Sequence, residues 1–159
     1  MTVGILGLGL IGGSLARAYA KAGHTVYAAD TDESILTFAQ IAGVVNTPLT
    51  CDNIGDCQLI LLSIYADASA NWLECHAKHI CKDALVIDCC GIKKEICRRC
   101  FAVAKEHGFT FVGGHPMAGS HNSGFKFSRS NLFQGAPMVL VPPRFDDPML
   151  LERAKNALE

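Results

Sequence analysis

His115 is the histidine placed where proton transfer would be useful. It follows the pair Gly113-Gly114 and precedes Pro116, which restricts it to extended backbone and so limits where the ring points. Imidazole titrates near neutral pH, the range in which a side chain can act as a general base or acid. His76, His79 and His107 fall on or at the ends of helical patterns, and His24 falls in a turn. Position alone leaves His115 open between a catalytic and a structural role.

A second constellation lies near the start. Gly7-Leu8-Gly9-Leu10-Ile11-Gly12 is a GxGxxG run between an apolar strand pattern and a helical one. In that context the first glycine permits a tight turn, the second lets backbone approach a pyrophosphate, and the third lets helix pack on strand. Free N–H groups at the helix start, from Leu10 and Ile11 onward, would face the anion. Asp30 ends the next strand, followed by Thr31. A carboxylate there accepts hydrogen bonds from ribose hydroxyls and repels a 2′-phosphate, and no Arg or Lys lies between Asp30 and Gln40 to offset it. The expected cofactor is NAD rather than NADP.

Eight cysteines include a CxxC at Cys97 and Cys100 and the pair Cys89-Cys90. A zinc site is one reading. The favoured one places Ile96, Cys97, Cys100, Phe101 and Ala104 on one helix face with no metal, cysteine serving as a small apolar residue. The thiols are expected to be reduced and mostly buried in a cytoplasmic protein.

These residues need a scaffold. The 159 residues are 50% hydrophobic and 18% charged, with 14 Lys+Arg against 15 Asp+Glu. That excludes default disorder and a nucleic-acid binder driven by bulk charge. The uncharged stretch Thr2–Ala16 is too short for a membrane span and lacks a basic leader. Strands are expected at Thr2–Leu6, Thr25–Ala29, Leu59–Ser63, Ala84–Asp88, Thr110–Val112 and Met138–Val141. Helices are expected at Gly12–Ala22, Asp32–Ala42, Ala68–His79, Ile92–His107 and from about Asp147 onward, with a loop over Gly113–Gly124. The alternation predicts an α/β, Rossmann-like doubly wound sheet, mainly parallel, as one dinucleotide-binding domain over residues 1–159. Ligands then meet the carboxyl ends of the strands. Ser63, Ile64, Tyr65, Cys89 and Cys90 should reach the cofactor there, with Gly91, Gly114, Ser120 and His121 near the substrate. The last helix reaches Glu159 without a following turn, so the chain is expected to be a fragment.

Gly7–Leu15 (GLGLIGGSL), Gly113–Ser120 (GGHPMAGS), Ser123–Gly124, and Leu132–Ala136 with Leu140 and Pro142 resemble the prephenate dehydrogenase family. The resemblance implies NAD-dependent oxidative decarboxylation of prephenate to 4-hydroxyphenylpyruvate in tyrosine biosynthesis. His115 matches the family histidine that takes the proton of the ring hydroxyl. It also implies a helical C-terminal domain beyond this chain, carrying the substrate-binding arginine and a homodimer interface, so the isolated chain should turn over poorly. Two departures stand out. The family's Asp-x-Gly-Ser-Val-Lys reads Asp88-Cys89-Cys90-Gly91-Ile92-Lys93, leaving Cys90, a water or nothing in place of the serine hydroxyl. His121 stands where similar sequences often carry Glu. Lys93 matches the family lysine but is equally explicable as structural. Arogenate dehydrogenase, and a nucleotide-binding module without chemistry, are the alternative readings.

Overall fold

The computed structural model describes all residues 1–159. Seven strands, β1 (Thr2–Leu6), β2 (Thr25–Ala29), β3 (Thr47–Pro48), β4 (Leu59–Leu62), β5 (Leu85–Asp88), β6 (Thr110–Pro116) and β7 (Met138–Val141), form one sheet in the order β3-β2-β1-β4-β5-β6-β7. Neighbours from β3 through β6 pair in parallel, and β7 runs antiparallel to β6, with His115 opposite Val139. The chain winds outward in both directions from the β1/β4 boundary. In a doubly wound sheet, that switch point opens the crevice for a ligand.

Helices cover both faces. α1 (Leu10–Lys21), α2 (Glu33–Ile41) and α5 (Pro148–Leu158) pack on one side, and α3 (Ala66–His76) and α4 (Lys94–His107) on the other. The central strands are apolar throughout because both faces are covered: on β4, Leu59 and Leu61 enter one core, Ile60 and Leu62 the other. Side-chain caps mark two helix starts, with the Asp32 carboxylate accepting from Ser34 N–H at 2.9 Å and Asp147 from Leu150 N–H at 3.0 Å.

Several sequence expectations need correcting, among them the start of α1, at Leu10 rather than Gly12, and the bounds of α3, Ala66–His76 rather than Ala68–His79. The short edge strand β3 was not anticipated, since its proline is tolerated only at a sheet edge. β6 continues through Gly113–Pro116, so the expected loop begins at Met117. β7 supplies the partner that keeps those residues extended. α4 begins at Lys94 rather than Ile92, whose side chain is exposed while that of Lys93 turns inward. Finally, the cysteines are not mostly buried: Cys57, Cys97 and Cys100 are, but Cys51, Cys75 and Cys81 are exposed and Cys89 and Cys90 half-buried. Cys97 and Cys100 lie on the core face of α4, packed as small apolar residues.

Candidate active site

The loop after β1 is shaped by close approach. Gly7 has φ +86°, a left-handed conformation that favours glycine, and a side chain there would strike Ile64 and the Ser63 carbonyl. A Cβ on Gly12 would strike the Gly7 carbonyl, so the third glycine is what allows α1 to rest on the loop. Gly9 differs: a Cβ there meets no atom within 4 Å. The open side of Gly9 therefore faces space that a ligand can enter. No side chain caps α1, which starts directly after Gly9, leaving backbone N–H groups for an anion.

Asp30 holds this loop from the β2 side. Its Oδ2 accepts from Leu8 N–H at 2.6 Å and its Oδ1 from Asp32 N–H at 2.9 Å. A carboxylate offers about four lone-pair directions, so capacity remains for hydroxyl donors. Ser63, at the end of β4, presents a buried hydroxyl oxygen with no hydrogen-bond partner in the chain. Such groups are uncommon unless something else satisfies them. The orphaned Ser63 hydroxyl, the open face of Gly9 and the pinned Asp30 carboxylate fit a dinucleotide. Thr31 is exposed beside Asp30, and Tyr65 extends into solvent, 91% exposed, at the start of α3.

Further along the same carboxyl end of the sheet, the ends of β5 and β6 meet. Asp88 is fully buried and its Oδ2 pairs with the Lys93 ammonium and accepts from Cys90 N–H at 3.0 Å. Its Oδ1 accepts from Gly114 N–H at 3.1 Å, and Lys93 Nζ donates to Gly114 O at 2.6 Å. Both backbone groups of Gly114 are thus tied to the turn after β5. The buried Gly114 lies beneath the site as part of its frame. Gly113 and Gly114 are glycines for lack of room, since side chains would collide with Cys97 and Val141 at the first and with Ile87, Met138 and the Asp88 carbonyl at the second.

This frame brings His115 to Gly91. A Cβ on Gly91 would lie 3.6 Å from both Cε1 and Nε2 of the imidazole. Cys90 does not fill that place, because its thiol donates to the Ile64 carbonyl at 3.1 Å. Burial pushes the Cys89 and Cys90 thiols up, to about 12 and about 11, so both are neutral at pH 7 and neither offers a thiolate. Ser120 and His121 lie on the exposed loop after β6, where Ser120 Oγ accepts from Asn122 N–H at 3.0 Å.

Two features escaped the sequence reading. The Asp88–Lys93–Gly114 lock joins residues up to 26 positions apart, and only the buried aspartate ending an apolar run hinted at it. Gly13 was the other: a Cβ there would hit Phe125 and Ser128. That segment lies against α1, and Arg129 N–H donates to Ser14 Oγ at 3.0 Å. The doubled glycine was the available signal.

Comparison with known proteins gives a consistent set of matches. The family described as "Prephenate dehydrogenase, nucleotide-binding domain" matches residues 15–159. A prephenate dehydrogenase of Lactococcus lactis subsp. cremoris is 33% identical over 143 residues, 86% of this chain and 40% of that protein. The crystal structure of Synechocystis arogenate dehydrogenase superposes with a TM-score of 0.87 at 30% identity, over 99% of this chain and 56% of that one. The A. aeolicus prephenate dehydrogenase, solved in complex with hydroxyphenyl propionate and NAD+, shares the fold with a TM-score of 0.86 at 24% identity, over 99% and 56%. The chain spans 40 to 48% of the length of the curated relatives it matches.

Proposed function

Because the chain belongs to the prephenate dehydrogenase family and forms its nucleotide-binding domain, we propose that it holds NAD and supplies the general base for oxidative decarboxylation of prephenate. The observation that carries this reading is His115, next in the chain to the Gly114 backbone that Asp88 and Lys93 hold, at the same carboxyl end of the sheet as the open glycine loop. NAD supplies the hydride acceptor. The Gly9 loop and the start of α1 take the pyrophosphate, Asp30 the adenosine ribose, and Ser63 a polar group further along the cofactor. Hydride leaves the carbinol carbon while His115 accepts the hydroxyl proton. Carbon dioxide then departs, the electrons of the broken C–C bond enter the ring, and the proton returns to the oxygen as the phenol forms. Recognition of the substrate carboxylates and a homodimer contact belong, in this reading, to a helical domain outside residues 1–159.

Arogenate is the second reading, favoured by the likeness to the Synechocystis enzyme. Steady-state rates with both substrates, on protein expressed from the complete reading frame, decide between them. A higher kcat/KM for prephenate supports the first.

Two binding results are expected. Asp30 is pinned by two backbone N–H groups and cannot swing away from a 2′-phosphate, and Asp32, held ionised below the usual carboxylate range by Ser34, adds to the repulsion. NAD should therefore bind at least about tenfold more tightly than NADP, a difference of about 1.4 kcal/mol. Calorimetric titration giving equal affinities would remove Asp30 from this role.

Gly9→Ala should lower the melting temperature by only a few degrees, because the added methyl meets nothing within 4 Å beyond its chain neighbours and the cost is that of alanine for glycine at a helix N-cap, about 1 kcal/mol. It should raise the Kd for NAD by about tenfold or more, since it stands where backbone must approach the pyrophosphate. Unaltered NAD affinity would place the pyrophosphate elsewhere.

A further inference from the structure

The surroundings of Gly91 bear on which rings the site admits. A methyl group there would touch the imidazole edge of His115 at 3.6 Å and, chain neighbours aside, no other atom within 4 Å. The adjacent side chains do not close that space. Cys90 is drawn away by the Ile64 carbonyl, and Ile92 is 76% exposed. The neighbouring strand gives way to a loop at Met117, itself half exposed.

A base must approach the carbinol O–H to hydrogen-bond distance. The ring carbons flanking the carbinol carbon are then the next substrate atoms out from Nε2, beyond that oxygen and the carbinol carbon itself. Any side chain at position 91 would compete for the volume next to them. Resting on the reading of His115 as the base, we propose that Gly91 is a specificity-determining position. Its missing side chain leaves room for one further non-hydrogen group, so the site accepts cyclohexadienols with a small substituent on the carbon next to the carbinol. The redox and decarboxylation steps are the same for such a substrate, because the substituent takes no part in them.

The test uses the protein from its complete reading frame, with prephenate and a derivative carrying a methyl group next to the carbinol carbon. Wild type should process both with kcat/KM values within about tenfold. Gly91→Ala should lower kcat/KM for the methylated substrate at least tenfold more than it lowers that for prephenate, the discrimination a single methyl group gives in a close-packed pocket. Gly91 is not at positive φ and the new contact is at ordinary van der Waals distance, so the variant should fold, as thermal melting will show. Gly91→Ser gives an independent check with the same expected ordering.

An unchanged preference in both variants would overturn the proposal, as would wild type rejecting the methylated substrate more than a hundredfold. If wild type oxidises neither substrate while still binding NAD, the assignment of the reaction falls first and this inference with it.

Discussion

His115→Asn should lower kcat by about 10²–10⁴, the range a positioned general base supplies, while NAD affinity stays within about twofold. Asparagine is close in size to the imidazole and keeps a polar group, but it cannot take a proton from an alcohol. The lost interaction exists only as the O–H bond breaks, so kcat and kcat/KM should fall together. The measurement is steady-state NADH formation at saturating NAD. An unchanged kcat would return His115 to a structural role.

Lys93→Met should destabilise the fold by about 3–5 kcal/mol, the usual consequence of removing one partner of a buried ion pair. Asp88 is fully buried and Lys93 retains only 18% side-chain exposure. Loss of the ammonium leaves the carboxylate with only the N–H groups of Cys90 and Gly114. Methionine fills much of the same volume, so the loss reflects charge rather than a cavity. For a domain of this size the melting temperature should drop on the order of 10 °C. The double variant Asp88→Asn with Lys93→Met should recover part of the loss, because no buried charge is then left unpaired. A single variant within about 0.5 kcal/mol of wild type would show that the lock contributes little.

Much of this organisation was legible in the sequence because local chemistry dictated it. The GxGxxG run before a helical pattern carries its own geometric reasons, and Gly7, Gly9 and Gly12 meet them in three different ways. β1 and β2 agree with expectation residue for residue, since short apolar runs flanked by turns have few alternatives. What stayed hidden depends on distant partners. The extension of β6 through His115 comes from pairing with β7, more than twenty residues later. Lys93 could not be assigned from its position at a helix start, because the groups it joins belong to different strands. For the Gly91 position, Cys90 is removed as a substitute for the family hydroxyl by a carbonyl 26 residues away, at Ile64. The place of Asp30 after β2 makes it a candidate ribose acceptor, but its hold on the glycine loop through Leu8 N–H leaves no local signal.

The most direct test of the central claim is coupled product formation from prephenate and NAD by the protein expressed from its complete reading frame. NADH is followed by absorbance, and carbon dioxide and 4-hydroxyphenylpyruvate are quantified in the same reaction. The expected result is one NADH and one carbon dioxide for each 4-hydroxyphenylpyruvate. Saturable NAD binding with no NADH from either prephenate or arogenate would contradict the account and leave a nucleotide-binding domain without this chemistry.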